Sequence, residues 1–398
     1  MTKFEKSFTQ QEAIPDDAIE AAVEVMRSGR LHRYNVLPGE TSEAEKLEAE
    51  FAAYMGVPYC LACTSGGYAI HIALRSVGVK PGDLVLSNAF TLAPVPGAIE
   101  AAGAKPVLVE TGEDYCIDLA DLDAKAASSS ARFLLLSHMR GHIVDMDQIM
   151  EICARHQIIL VEDCAHTMGA NWDGRKSGSF GKVACFSTQT YKHVNSGEGG
   201  FLTTDDPEVI ARATVYSGSY MLYERHGAGP EAEVFEGLRL EVPNMSGRMD
   251  NMRAAILRPQ LEHLDAQCAR WNRLYHVLEE GLRNHPHIKL PERPEKEGYV
   301  ASSIQFALPA FSPAQFQDLL KRCFERGVEL KWFGNPVPNG YTSRYDSWRY
   351  LEVPDLPRTI EVLSTMCDMR IPLTFDEDDC RTIAQVISTT AREVAEAA

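Results

Sequence analysis

Strand-length apolar runs separated by amphipathic stretches are the feature that most narrows what this chain can fold into. Residues 84–87, 103–109, 133–138, 158–161, 183–186 and 201–204 are such runs. Between them lie helical patterns, such as residues 68–77 and 146–155. Strands alternating with helices at this spacing predict a largely parallel sheet with right-handed crossovers, an α/β fold. The run Ile158-Ile159-Leu160-Val161 is apolar throughout, as a strand buried on both faces must be.

That run ends in Glu162-Asp163, so two carboxylates stand at a strand's carboxyl end, where open α/β sheets place their ligands. The next strand, 183–186, leads into Ser187-Thr188-Gln189-Thr190 and then Lys192. Gly197-Glu198-Gly199-Gly200 follows as a tight turn before the strand at 201–204. An acid, a hydroxyl cluster and a lysine on neighbouring strand ends are the parts that a pyridoxal phosphate site needs. The lysine amine can form a Schiff base with the cofactor aldehyde, and a buried carboxylate can keep the pyridine nitrogen protonated. Upstream, Thr64-Ser65-Gly66-Gly67 opens the helical run at 68–77, offering free N–H groups and a positive dipole end to a phosphate.

The block EDCAH, then GSFGKVACFS, the lysine, and GEGG resembles the DegT/DnrJ/EryC1/StrS aminotransferases, often called sugar aminotransferases. The resemblance runs from about Ser28 into the C-terminal region. It implies a fold-type-I, aspartate-aminotransferase-like architecture. Residues 1–250 would hold an N-terminal segment and a large, mostly parallel cofactor-binding domain, and 251–398 a long connecting helix and a smaller α/β domain. It implies pyridoxal 5'-phosphate, cycling with pyridoxamine 5'-phosphate, as cofactor. By the same resemblance Lys192 carries the internal aldimine and Asp163 pairs with the pyridine nitrogen. His166 would contact the ring hydroxyl, and Ser187, Ser65, Gly66 and Gly67 the phosphate. Gly67 stands where the family has threonine, so backbone contacts must replace one hydroxyl.

Other segments match less closely. An ungapped comparison puts Leu92 where the family stacks an aromatic on the cofactor, with Phe90 two residues earlier. Either Phe90 supplies the ring or the cofactor rests on an aliphatic face. Residues 244–249, NMSGRM, are similar to the family's N-Y-R-M segment with two extra residues before the arginine. Asn244 would reach the phosphate of the other subunit, although an ungapped count from the arginine selects Ser246. Arg248 would sit near substrate, as would Arg33 or Tyr34 from the basic-aromatic loop 30–34. If the Asn244 assignment holds, the protein is at least a homodimer with shared active sites.

Composition limits the partners. A net charge of −17 opposes nonspecific binding to nucleic acid and to anionic membranes. No run is long and apolar enough to span a bilayer, and residues 1–17 lack the apolar core of a signal peptide. Ten scattered cysteines suit reduced thiols in a cytoplasm. Cys60-Leu61-Ala62-Cys63 has no second pair or flanking histidine to complete a zinc site, so no metal is expected.

The implied activity is amino transfer from an amino acid, commonly glutamate or glutamine, to a keto sugar or related carbonyl compound. A same-fold transaminase acting on a non-sugar ketone or aldehyde is the main alternative. A pyridoxamine-dependent dehydratase, in which histidine replaces the lysine, conflicts with Lys192, and a non-catalytic cofactor-binding regulator has no need of an intact Asp163–Lys192 pair. The aromatic stretch 332–348 receives no role from the sequence.

Overall fold

The computed structural model describes residues 3–338 and 344–397. Residues 339–343, part of the aromatic stretch left without a role, lie outside the described residues. The first strands are β1 (Tyr59–Cys63), β2 (Leu84–Asn88), β3 (Lys105–Val109), β4 (Phe133–Ser137) and β5 (Ile159–Asp163). A short hairpin, β6 (Asn171–Trp172) and β7 (Arg175–Lys176), precedes β8 (Val183–Ser187) and β9 (Gly200–Thr204). Beyond the long helices come β10 (Glu297–Gly298), β11 (Ser303–Ala307), β12 (Lys331–Trp332) and β13 (Met366–Arg370).

Seven strands form the main sheet in the order β1-β9-β8-β5-β4-β2-β3. Strands β3, β2, β4, β5 and β8 pair in parallel, and β9 runs against both of its neighbours. The mostly parallel α/β sheet expected from the apolar runs is therefore present. The centre of the sheet is buried on both faces: β4, β8 and β9 are buried along their whole length. Phe51, on the helix Glu43–Met55, stacks on Phe201 at 4.3 Å and meets Phe186 edge-on at 5.1 Å. Such aromatic pairs add about 1 kcal/mol each beyond the area they bury.

A second, antiparallel sheet, β11-β13-β12, packs against the helices Leu264–Arg283 and Pro313–Glu325, and the helix Glu377–Glu396 packs on both of these. The single long helical pattern over residues 250–282 is two helices, Asn251–Glu262 and Leu264–Arg283, divided at His263. Pro259 inside the first removes one backbone donor just upstream of the break. The polar stretch 291–298 is more than a connector. Its Glu297 is buried, pairs with Arg293 at 2.8 Å and accepts the Ile143 N–H, while β10 joins the β6–β7 hairpin. The chain's start is tied to its end, since Phe4 and Phe8 each meet Phe375 edge-on at 5.0 Å.

Parallel register brings the carboxyl ends of β4, β5 and β8 level: Ser137 pairs with Asp163, which pairs with Cys185. These ends face the antiparallel sheet across a cavity.

Candidate active site

Ser137, Asp163 and Ser187 end three adjacent parallel strands, and the loop after β8 carries Lys192 over them. All four line a cavity of about 770 Å³. The opening turn of the helix Gly66–Ser76 forms another wall through Ser65, Gly66 and Gly67. Ser65 caps that helix by accepting the Tyr68 N–H at 3.1 Å, a cap worth about 1 kcal/mol. The N–H groups of Gly66 and Gly67 have no acceptor within the helix at these first positions, which makes the turn a cradle for an anion. A Cβ on Gly66 would lie 2.9 Å from Ser187 Cβ and 3.2 Å from the Phe186 carbonyl oxygen, so only glycine lets β8 and the helix start meet this closely.

Asp163 is buried, and burial raises its pKa above the usual carboxylate value. Ser137 Oγ donates to one oxygen at 2.8 Å and the Ala165 N–H to the other at 3.1 Å, both favouring the ionised form. Lys192 is driven the opposite way. Burial and the positive charges of Arg140 and Arg370 bring its pKa down to about 7, against the pull of Asp163. Its Nζ lies 2.7 Å from His166 Nε2. The Arg140 N–H donates to His166 Nδ1 at 3.3 Å, and burial holds this imidazole neutral. With Nδ1 accepting, the one ring proton sits on Nε2 and points at the lysine, which must then be a free amine. Two independent features thus keep Lys192 nucleophilic near neutral pH.

Of the residues expected from the sequence, Lys192, Asp163, His166, Ser187, Ser65, Gly66 and Gly67 meet in this cavity. Leu92 lines it, whereas Phe90 is buried behind it with its ring edge-on to Phe333 at 5.0 Å. Asn244, Arg248 and Tyr34 lie outside its lining. Asn244 is exposed, and its Oδ1 accepts the Ser246 N–H. Arg248 donates to the Gly218 carbonyl at 2.7 Å and stacks over Tyr220. Tyr34 is buried with its hydroxyl 3.2 Å from His226 Nδ1, beside Arg33, whose Nη1 and Nη2 each donate to Glu48 at 2.7 Å.

Several lining residues carried no signal that the sequence reading used: Arg140, Tyr191, Ser302, Ser303 and Arg370. Arg140 was the most accessible of these, because it follows the carboxyl end of the apolar run 133–138, and its backbone is left-handed at φ 58°. Arg370 ends β13, 179 residues from Tyr191, over whose ring it lies.

A family model described as the DegT/DnrJ/EryC1/StrS aminotransferase family matches residues 13–388. The chain is similar to the GDP-perosamine synthase of Caulobacter vibrioides, at 33% identity over 255 residues, which is 62% of this chain and 66% of that one. It is also similar to the pleiotropic regulatory protein of Geobacillus stearothermophilus, at 34% identity over 344 residues, covering 78% of this chain and 85% of the relative. Among solved structures, that of S. venezuelae DesV superposes with a TM-score of 0.78 at 28% identity, over 94% of each chain. The match to the perosamine synthase thus spans just under two thirds of that protein's length.

Proposed function

The chain belongs to the DegT/DnrJ/EryC1/StrS aminotransferase family, and from that premise we propose that it is a pyridoxal-phosphate-dependent aminotransferase. It moves an amino group from an amino acid of the glutamate or glutamine kind to a keto sugar or related carbonyl compound. The observation that carries this reading is the meeting of Lys192, Asp163 and the Gly66–Gly67 helix start in one cavity.

The residues present fit the cofactor. Lys192 would hold it through its amine, Asp163 would keep the ring nitrogen protonated, and His166 would meet the ring hydroxyl. Ser65, Ser187 and the N–H groups of Gly66 and Gly67 would take the phosphate. When bound, pyridoxal phosphate supplies an electrophilic aldehyde and a ring that accepts the electron pair released at the donor's α-carbon. The chain's own chemistry centres on Lys192 Nζ. With its pKa brought down to about 7, this amine is unprotonated without large cost at neutral pH and can still take up a proton. It can therefore take the proton from the donor's α-carbon and, in reverse, deliver one to the acceptor's carbonyl carbon. Ser137 and Ala165 hold Asp163 in place and favour its charge. A name that ends in perosamine synthase, borne by one relative, favours a sugar acceptor.

The placement of Asn244 supports a homodimer with shared sites. It is exposed and outside its own chain's cavity lining, leaving it free to serve a partner. Subunit mixing tests this: a Lys192→Ala subunit and an Asn244→Ala subunit, each impaired alone, should regain activity when hybridised. All ten cysteines are unpaired and buried, the state kept in a reducing compartment such as the cytoplasm. No helix among the described residues is long and apolar enough to cross a membrane.

The deciding experiment is an absorbance spectrum of the purified, cofactor-loaded protein before and after glutamate, glutamine and alanine. A cofactor band converted by one of these amines, and lost in Lys192→Ala, is the expected result. A band that no amine donor shifts would favour the regulator reading, which the regulatory relative also carries. No band after reconstitution would sink the cofactor assignment.

A further inference from the structure

A line of buried polar side chains runs from the cavity back into the centre of the main sheet. β2 ends in Ser87 and Asn88, and Thr91 follows three residues later. All three are buried, as is Ser137 at the end of β4. The β2–β4 ladder closes where Ser87 faces Leu135, and there Ser87 Oγ donates to the Leu135 carbonyl at 3.0 Å. Asn88 carries the pairing on with its side chain. Its Oδ1 accepts the Ser137 N–H at 2.9 Å, and its Nδ2 donates to the Ser137 carbonyl at 3.1 Å. The backbone of Ser137 is thereby clamped from β2. Its hydroxyl is left for another use: it donates to Asp163 Oδ2 at 2.8 Å and accepts from Thr91 Oγ1 at 2.9 Å.

Polar groups buried in a sheet centre cost stability unless they are bonded. Ser87 and Asn88 have a structural reason to be there, because each serves backbone groups. Thr91 and Ser137 do not. Among the described residues, the Thr91 hydroxyl bonds only Ser137 Oγ, and the Ser137 hydroxyl bonds only Thr91 and Asp163. Thr91→Val with Ser137→Ala would orphan no backbone group, and the one group deprived would be Asp163. The chain also has a direction. Reversed, it would leave the buried Thr91 proton without an acceptor among the described residues. Run forward, Thr91 donates to Ser137 and Ser137 to Asp163, and each bond strengthens the next. A donor that always points at Asp163 favours the carboxylate over the carboxylic acid. Thr91 itself does not line the cavity and acts from two strands away, across β4.

We propose that Thr91 is a positioning residue for amino transfer: through Ser137 it holds Asp163 as an anion that pairs with the protonated ring nitrogen of the cofactor. This rests on the aminotransferase reading and deepens it, since it names what maintains the acid on which the electron sink depends. Burial works against the charge of Asp163, and the hydroxyl chain and the Ala165 N–H work for it. No covalent or proton-transfer step is assigned to Thr91.

The test takes the full-length protein, stripped of cofactor, and two ligands: pyridoxamine 5'-phosphate and its 1-deaza analogue, in which a C–H replaces the ring nitrogen. The analogue keeps the phosphate and the ring hydroxyl but offers no N–H to Asp163. Equilibrium dialysis should show the wild type preferring the natural cofactor. Ser137→Ala should weaken pyridoxamine 5'-phosphate about tenfold, the scale of a lost bond to a charged group. Thr91→Val should weaken it about two- to threefold, because Thr91 acts only by polarising Ser137. Affinity for the analogue should not move in either variant, and Thr91→Ser should return the wild-type values. In an Asp163→Asn background, Thr91→Val should have no further effect on either ligand. In the loaded enzyme, Thr91→Val should lower kcat of the donor half-reaction by a similar factor and leave KM unchanged. Equal losses for both ligands in Thr91→Val would make Thr91 a packing residue and overturn the proposal, as would wild-type affinity for both. A wild type that binds neither ligand would sink the cofactor assignment and the positioning role together. A wild type that shows the whole binding pattern yet converts no amine donor would sink the aminotransferase reading alone and leave Thr91 in its place behind Asp163.

Discussion

Glu162 and Asp163 are consecutive on β5, and alternation along the strand sends their carboxylates to opposite faces. Glu162 turns into the protein and closes its hydrogen bonding there. It accepts the N–H groups of Gly178, Phe180 and Gly181 at 2.7–3.0 Å and faces His138 Nε2 at 3.2 Å. These partners hold its pKa below the usual value in spite of complete burial. Asp163 turns to the cavity with two donors only, and burial wins, so its pKa is raised. The same chemical group serves structure on one face and stays available on the other. What separates them is how many donors the surrounding loops supply. His138, Glu162 and Cys164 also bring ligand atoms within 4.8 Å of one another. There too the Glu162 oxygens are spent on backbone N–H groups.

The largest effect should come from the cavity face. Lys192→Ala should lower amino transfer by about 10⁴-fold, the scale of a lost general acid–base group, as read by single-turnover conversion of the bound cofactor. Thermal unfolding of the cofactor-free protein should not fall, because the variant removes a buried amine whose charge folding opposes. A large loss of stability would mean that Lys192 belongs with Glu162 as a structural group.

Exchanging the two carboxylates for amides tests the comparison directly. Asp163→Asn should cut turnover by roughly 100-fold or more while leaving the fold intact, since a neutral amide cannot favour a protonated ring nitrogen. Glu162→Gln should cost about 3 kcal/mol in urea unfolding, because it turns charge-assisted bonds to three N–H groups into partly mismatched ones. If Glu162→Gln lowers turnover more than stability, the division between the faces fails.

The pH dependence of stability should carry both signs. Glu162 has a lowered pKa, so its contribution is in place above the ordinary value of 4.5 and is lost as pH falls through its folded value. Lys192 behaves otherwise. Its folded pKa is about 7 against an ordinary 10.5, so between these values the unfolded chain binds more protons and stability rises with pH. Lys192 should therefore add an upward contribution to the urea midpoints of the cofactor-free protein between about pH 7 and about pH 10, read as the difference in slope between the wild type and Lys192→Met. Equal slopes in the two proteins would place the lysine's pKa near its ordinary value.

Legibility of this molecule in its sequence followed the range of the interactions. Apolar runs became strands within a residue or two at each end, because burial on both faces leaves a local signature. The block from Glu162 to Gly200 was readable for the same reason, since Asp163, His166, Ser187 and Lys192 are set by adjacent strands. Arg370 was not, because its position depends on the antiparallel sheet closing over the main sheet from far along the chain. The buried Arg293–Glu297 pair looked like solvated polarity, as a partner that neutralises a charge in three dimensions leaves no mark in composition. Leu92 and Phe90 differ by two residues, and which of them reached the cavity was a matter of how the segment after β2 turned.

The smallest predicted effect probes whether the cavity face can be made to resemble the closed one. Gly66 and Gly67 are adjacent at the helix start, but they are not equivalent. A side chain on Gly66 meets Ser187 and the Phe186 carbonyl, whereas one on Gly67 meets only Pro94 Cβ, at an ordinary 3.5 Å. Gly67→Thr should therefore fit and restore the hydroxyl that the resemblance led one to expect. One added hydrogen bond of about 1 kcal/mol should tighten phosphate and cofactor binding roughly fivefold. Replacing glycine in this turn should also stabilise the chain by a few tenths of a kcal/mol or more, through lost unfolded-state entropy. Gly66→Ala should loosen the cofactor and lower the melting temperature, because backbone and β8 cannot both stay where they are. Equilibrium dialysis of pyridoxal phosphate against the two variants measures the contrast. If Gly67→Thr leaves affinity unchanged while Gly66→Ala weakens it, the open N–H groups already satisfy the phosphate, and the cavity face is closed by its ligand as fully as Glu162 is by its loop.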